Sequence, residues 1–171
     1  MENSKFQPAF VTGGNPASVN EQTPHLLGQL GCTVEVGNKK WQYVLLDTGC
    51  VAAATSGVVA ANDLAFWKDR TKYLVTNDLR FSEAGRNGVA GVLGCAVTAG
   101  YGCFIQRGGR ATLNQDYGTA AAGTLASAYS GTGAGAEFTA VGTYPSYFVI
   151  GVALGANSSG VSTELLIDPI R

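Results

Sequence analysis

The chain has 171 residues and a net charge of −1, and its 13% of charged residues is about half of the ~25% usual in soluble proteins. This balance gives no electrostatic reason to expect nucleic acid or an anionic membrane as a partner. No run approaches the roughly 18 apolar residues of a membrane span. The length allows one domain with a real core. Its 24 glycines and low charge favour a protein that hides much of its surface in an assembly.

Residues 1–30 differ in composition from the rest of the chain. Three of the five prolines lie here among Asn, Ser, Thr and Gly, so the segment resists regular structure and cannot build a core. We predict an extended arm over residues 1–30, with Phe6 and Phe10 as anchors, that lies on a neighbour or is disordered in a monomer. The polar start, residues 1–7, predicts no export signal. The four cysteines form no CxxC pair and are expected to be reduced thiols.

A β-rich domain is predicted over residues 31–171. Short strands are expected at residues 32–36, 41–46, 51–60, 72–76, 117–130, 131–141, 147–154 and 161–167. Residues 63–67 fit a strand and a helical turn equally well. Glycine-rich turns separate these segments and no long amphipathic helix interrupts them, a pattern typical of an all-β protein. We therefore predict a small β-barrel or β-sandwich domain that follows the extended N-terminal arm.

Residues 88–114 predict a β-hairpin around which the domain is organised. Its first limb, residues 88–97, consists almost wholly of Gly, Ala, Val and Leu, and such a limb can lie close against another backbone. Residues 98–102 supply the turn, and residues 103–113 form the second limb. Cys95 and Cys103 would face each other across this hairpin, which makes a disulfide geometrically possible. The sequence VAGVLG at 89–94 is echoed by VIGVALG at 149–155, which suggests two related strand–turn units.

The motif VLLDTG at residues 44–49 is the strongest catalytic candidate. Aspartic proteases place a carboxylate in such a turn, so Asp47, Thr48 and Gly49 would form the catalytic loop. Two loops must meet for one carboxyl group to stay protonated while its partner ionises. A single motif would therefore require a homodimer of the retroviral type. Asp-Thr-Gly is also common turn chemistry between strands, and we favour that interpretation.

Other catalytic classes fit less well. The sole histidine, His25, lies in the proline-rich arm, which disfavours a histidine triad or a histidine metal site. The cysteines lack zinc-site spacing, and the glycine-rich segments lack the ending of a phosphate loop. We predict no catalytic, cofactor or metal residues and no small-molecule substrate. The predicted partner-binding residues are Phe6, Phe10, Trp41, Trp67, Tyr101, Arg107 and Arg110.

Five segments rich in Gly and Ala carry a resemblance to a known family. They are RNGVAGVLG at 86–94, VTAGYG at 97–102, FIQRGGRA at 104–111, AGTLA at 122–126 and VIGVALG at 149–155. They resemble the Gly-Val-Ala strand, the Gln-x-x-Gly-x-Ala strand, the Ala-Gly-Thr-Leu segment and the closing Ile-Gly-Val-Ala strand of small phage head decoration, or capsid cement, proteins. The resemblance covers roughly residues 41–167 and leaves out the arm.

The resemblance implies a β-rich protein without enzymatic activity, made in the host cytoplasm. It would bind the outside of an assembled icosahedral head as a homo-oligomer and bridge subunits of the major capsid protein. The low charge fits this role independently, because interfaces deplete charge at their centres. One alternative is a tail or fibre adaptor of the virion. The other, from a different class, is the dimeric aspartic protease built on Asp47.

Overall fold

Twelve β-strands and no helix form the part of the chain that the computed structural model describes, residues 30–50, 58–78, 88–114, 121–123, 125–129, 137–140, 148–156 and 163–167. The strands are β1 (Thr33–Val36), β2 (Lys39–Leu46), β3 (Val58–Val59), β4 (Leu64–Asp69), β5 (Leu74–Thr76), β6 (Val89–Leu93), β7 (Val97–Thr98), β8 (Gly102–Leu113), β9 (Leu125–Tyr129), β10 (Glu137–Ala140), β11 (Phe148–Ala153) and β12 (Thr163–Ile167). The predicted all-β class is confirmed.

Each strand predicted from the sequence overlaps a strand of this set. The parts of the predicted strands at residues 51–57, 117–120 and 131–136 lie outside the described residues. The ambiguous segment 63–67 lies largely within strand β4. Its residues Leu64, Ala65, Phe66 and Trp67 are all buried, so both faces of the strand are covered. A strand buried on both faces lacks the alternation of polar and apolar residues that identifies a strand in a sequence. The predicted arm, residues 1–30, lies outside the described residues except for Leu30.

Five strands close into a barrel in the order β2, β5, β4, β6 and β8, with β8 pairing back onto β2. The β2–β5 pairing is parallel and the other four are antiparallel. Closure pairs both edges of every barrel strand and leaves no barrel edge free to recruit another chain. Of the two predicted architectures, the small β-barrel is the one observed.

The barrel interior is filled by apolar side chains from every wall. They are Val44, Leu46, Val59, Ala65, Trp67, Val75, Ala90, Leu93, Cys95, Val97, Cys103 and Ile105. A second cluster lies on the other face of β2 and β8, where Tyr43 and Phe104 are opposite each other with ring centroids 5.1 Å apart. Leu30 and Val34 pack against this second cluster. Strands β2 and β8 are therefore covered on both faces.

Strand β8 belongs to two sheets. Its first half pairs with β2 and β6 inside the barrel, and its second half, Gly109 to Leu113, pairs with β12. From β12 an outer sheet continues through β11, β9 and β10. The twelve-residue strand is thus the backbone connection between the barrel and the outer sheet.

A β-bulge lies where β8 leaves the barrel. Lys40 pairs with Gly108 and Trp41 pairs with Gln106, so Arg107 is the extra residue. The buried Gln106 side chain donates to the carbonyl oxygens of Gly108 and Arg110, at 3.0 and 2.8 Å. A bulge bends its strand and increases the local twist. The two halves of β8 can therefore serve two different sheets.

The hairpin predicted over residues 88–114 is confirmed in its pairing, since β6 and β8 are antiparallel neighbours. Its first limb is shorter than predicted, because β6 ends at Leu93 and the extension to Val97 is wrong. Strand β7 pairs with β3 instead, and the side chains of Cys95 and Val97 enter the barrel core. Cys95 and Cys103 are both buried free thiols, so the structure contains no disulfide between them.

The echo between residues 89–94 and 149–155 has a structural counterpart. A Cβ atom on Gly91 of β6 would lie 2.5 Å from the carbonyl oxygen of Gln106 on β8. A Cβ atom on Gly151 of β11 would overlap the carbonyl oxygen of Leu166 on β12. Each glycine also lies beside a register shift, β6 against β4 and β11 against β9. Both glycines therefore allow a close backbone approach within a three-stranded unit.

Candidate functional site

Polar side chains from three separate segments meet at one end of the barrel. Arg107 on β8 donates from Nη1 to Oε1 of Gln42 on β2 at 2.9 Å. Its Cζ atom lies 5.8 Å from the centroid of the Trp67 ring on β4, within cation–π range. Neither β8 nor β2 pairs with β4. The Arg107 side chain therefore spans the barrel end.

The Trp67 ring is fixed by its surroundings. Tyr73 packs edge-on against it with ring centroids 6.5 Å apart, and the Trp67 backbone N–H donates to the carbonyl of Gly88 at 3.0 Å. Tyr73 has a φ of 51°, which is uncommon for a residue with a side chain. Its ring lies directly on the backbone of Gly31, where a Cβ atom would overlap it. The Gln42 amide donates to the carbonyl of the same Gly31 at 3.2 Å, which completes a ring of contacts.

A second guanidinium lies at this end of the barrel. Arg70 follows β4 in an exposed turn, and its Nη2 would be 3.3 Å from a Cβ atom on Gly88. Partial burial and the positive charge of Arg70 lower the pKa of Arg107. Arginine nevertheless stays protonated in proteins, so both groups are cations. We call Gln42, Trp67, Arg70 and Arg107 the barrel-mouth cluster.

Arg110, which like Arg107 is a predicted partner-binding residue of the second hairpin limb, lies in a different environment. Its Nη2 donates to Oε2 of Glu164 on β12 at 2.7 Å, and the two side chains are 60% and 57% exposed. The bulge in β8 separates the two arginines: Arg107 lies at the barrel mouth and Arg110 lies on the outer sheet. The sequence places both arginines on one limb, because the bulge carries no obvious sequence signal.

The other predicted partner-binding residues have different degrees of exposure. Trp41 and Trp67 are 7% and 4% exposed, so both rings contribute to the core of the chain itself. Tyr101 is half-buried at the opposite end of the barrel, where its carbonyl accepts from the N–H of Leu46 at 2.9 Å. Phe6 and Phe10 lie outside the described residues. As surface contacts, Tyr101, Arg107 and Arg110 remain predictions.

The Asp47-Thr48-Gly49 motif forms a turn after β2. The Asp47 carboxylate is buried and its Oδ2 lies 2.7 Å from Nζ of Lys68 on β4. A Cβ atom on Gly49 would lie 3.0 Å from that same oxygen, so glycine lets the turn fold over the carboxylate. The carboxylate is thus engaged by an ammonium of its own chain, whereas the protease hypothesis needs two carboxyl groups that face each other and share a proton. This geometry gives Asp47 a structural role.

Gln42 and Arg70 were not among the site residues predicted from the sequence, because only the closure of the barrel brings their strands close to β8. Within the described ranges there is no group of His, Cys, Asp and Glu side chains that could hold a metal ion. The same ranges contain no helix long and apolar enough to cross a membrane. No family model matches the sequence, and no curated protein matches it.

Proposed function

We propose that this protein is a virion structural protein, a decoration protein that binds the outside of an assembled phage capsid and stabilises it. The observation that carries the proposal is where the family-like segments fall in the fold. They include β6, the first half of β8 and β11, which hold Gly91 and Gly151 at close backbone approaches. The resemblance thus involves positions on which the packing of the framework depends.

The exposed face of the outer sheet supplies a suitable contact surface. Where β8 pairs with β12, residues alternate between exposed and buried. The exposed ones are Arg110, Thr112, Glu164 and Leu166. Leu166 is 47% exposed beside the Arg110–Glu164 pair. Interfaces place apolar side chains at their centres and polar groups at their rims, and Leu166 beside the Arg110–Glu164 pair is compatible with that arrangement. We infer that this face contacts the major capsid protein.

Assembly on a symmetric shell would compensate for a modest contact area. Each copy of a homo-oligomer offers the same face, so binding of the first copy raises the effective concentration of the others at their sites. A weakly charged surface also loses less favourable hydration when it is covered. A tail or fibre adaptor would use similar surface chemistry. Electron microscopy of virions that carry a labelled copy distinguishes these two locations.

The proposal is tested by adding the purified protein to capsids that lack it. We expect saturable co-sedimentation and a rise in the melting temperature of the capsid. Leu166→Asp should weaken binding without unfolding the protein, because the side chain is 47% exposed. Val36→Asp is the matched control, since Val36 is 52% exposed on β1, away from the outer-sheet face. Absence of binding by the wild-type protein would overturn the proposal.

A further inference from the structure

Two reduced thiols lie in the barrel core and have no role in the capsid contact proposed above. They belong to Cys95, which follows β6, and Cys103, near the start of β8. Cys103 is fully buried, whereas Cys95 is 8% exposed. Both side chains are members of the same cluster of buried residues. The two sulfur atoms therefore share one apolar environment.

The pairing of β6 with β8 places these two cysteines opposite each other. The paired part of β6 ends at Leu93, and beyond it the N–H of Gly94 still donates to the carbonyl oxygen of Phe104 at 3.0 Å. Cys95 and Cys103 are the next residues on the two sides of this hydrogen bond. Opposite residues of an antiparallel pair have Cα atoms about 4.5–5.5 Å apart, and disulfides join cysteines with Cα atoms about 4.4–6.8 Å apart. The backbone arrangement therefore suits a disulfide.

The seam between β6 and β8 is short. Its register contains two residue pairs, of which the last is Leu93 with Ile105. The chain then leaves β8 and continues into β7, which pairs with β3. A covalent bond between Cys95 and Cys103 would fasten the seam at the point where the chain leaves it. It would also close a loop over residues 95–103, which lowers the entropy of the unfolded chain and so stabilises the folded state.

The environments of the two sulfur atoms set the order of an oxidation. Burial, and to a smaller extent the charge of Cys95, raises the pKa of Cys103, so the Cys103 thiol stays protonated. Cys95 is the more exposed of the two and is therefore the sulfur that meets a small peroxide. Its thiolate attacks one peroxide oxygen, the O–O bond breaks, and hydroxide leaves a sulfenic acid on Cys95. The Cys103 sulfur then attacks the Cys95 sulfur; the S–S bond forms, the S–O bond breaks, and the departing hydroxide takes the Cys103 proton. Two thiols and one hydrogen peroxide thus give a disulfide and two water molecules.

We propose that Cys95 and Cys103 form a redox latch: a peroxide oxidises the pair to a disulfide that fastens β6 to β8, and a thiol reductant reopens it. The latch goes beyond the proposed function, and only its biological setting rests on that function. A virion leaves the reducing host cytoplasm, where thiols persist, for surroundings in which disulfides persist. The latch is therefore open while the chain folds and closes in the released particle.

The test treats the folded, reduced, full-length protein with hydrogen peroxide, labels the remaining thiols with N-ethylmaleimide in denaturant, and digests the protein with trypsin without reduction. Both cysteines lie in one tryptic peptide, residues 87–107, because Arg86 and Arg107 flank it and no basic residue lies between them. We expect mass spectrometry to show this peptide without label and lighter by two hydrogen atoms. A doubly labelled peptide, or a disulfide from Cys95 or Cys103 to another cysteine, would overturn the proposal.

Thermal unfolding and two variants test whether the disulfide fastens the barrel. The melting temperature of the oxidised protein should be higher by roughly 5 °C and should fall back on addition of dithiothreitol. Cys95→Ala should abolish this shift and leave Cys103 as a labelled thiol. Cys50→Ala is the matched control, because Cys50 packs against the same core cluster without lying at the β6–β8 seam, and it should form the disulfide within twofold of the wild-type rate.

The outcomes stay decisive if Cys95→Ala fails to fold, because the peptide mass is measured on the wild-type protein. An unchanged melting temperature in fully disulfide-bonded protein would refute the latch. None of these measurements uses a capsid, so a failure of the latch is distinct from a failure of the proposed capsid binding.

Discussion

Gly91 provides a direct test of the close approach between β6 and β8. In Gly91→Ala the new Cβ atom would lie 2.5 Å from the Gln106 carbonyl oxygen, 0.9 Å short of the 3.4 Å at which ordinary contact begins. The same atom would lie 3.3 Å from Cβ of Ile105. Both neighbours belong to a barrel strand that is paired on its other edge, so the strand cannot move away freely.

The expected loss of stability follows from two opposing terms. Overpacking of a well-packed interior costs about 1–3 kcal/mol. Replacing glycine by alanine by itself stabilises the folded state by about 0.4–1 kcal/mol, because alanine reduces the conformational freedom of the unfolded chain. We expect a net loss of about 1–2 kcal/mol in the free energy of unfolding. For a chain of this length, the melting temperature should fall by roughly 3–6 °C.

Urea unfolding followed by circular dichroism measures this change. Gly155→Ala is the matched control, because a Cβ atom on Gly155 would have no neighbour within 4 Å. That variant should stay within about 0.5 kcal/mol of the wild type. If Gly91→Ala proved as stable as Gly155→Ala, the close approach of β6 to β8 would not constrain the barrel. Gly151→Ala should behave like Gly91→Ala if the two strand units are equivalent.

Three further predictions concern charged and thiol groups. Asp47→Asn removes the carboxylate that binds Lys68 and should lower the free energy of unfolding by about 1–3 kcal/mol; a urea midpoint equal to that of the wild type would contradict it. Burial raises the pKa of the Cys103 thiol. This thiol should therefore resist an aromatic disulfide reagent at pH 8 in the native state and react with it in guanidinium chloride. Labelling of Cys103 in the native state, measured by mass spectrometry, would refute its burial. The side-chain hydrogen bond from Thr71 lowers the pKa of Asp69 in the folded protein. The ionised Asp69 carboxylate therefore stabilises the fold above its ordinary pKa of about 3.9, and this contribution is lost as pH falls through the lower native value. The stability difference between wild type and Asp69→Asn should therefore shrink in acid, and a constant difference across that range would count against the contribution.

The fold class and the strand order along the chain could be predicted from the sequence, because glycine turns and β-branched runs are local signals. The WQYVLL run at residues 41–46 shows this, since it lies within strand β2. The end of β6 could not be predicted in the same way. Residues 94–97 continue the small, apolar composition of that strand, yet the strand ends before them and the side chains of Cys95 and Val97 pack in the barrel core. The requirement to close a barrel is non-local and leaves no mark on a short window of sequence.

The barrel-mouth cluster could be predicted only in part. Arg107 and Trp67 were identified as residues of interest, but their contact depends on a bulge and on the closure of the barrel. Gln42 and Arg70 lie far from Arg107 in the sequence and belong to unremarkable local patterns. Arg107 and Arg110 were both predicted as partner-binding residues on the second limb of one hairpin, whereas the bulge at Arg107 places them in different environments. A one-residue bulge therefore gives the guanidinium groups of Arg107 and Arg110 different partners.

Strand β8 also has a mechanical consequence. A pull on the outer sheet reaches the barrel through a continuous covalent backbone, without passing through side-chain packing. Along the strand axis, that load acts in shear on several hydrogen bonds to β2 at once, so they resist together rather than opening one after another. The closed ring then spreads the load over its remaining walls. A protein built in this way transmits tension from one surface to the other as a single stiff link.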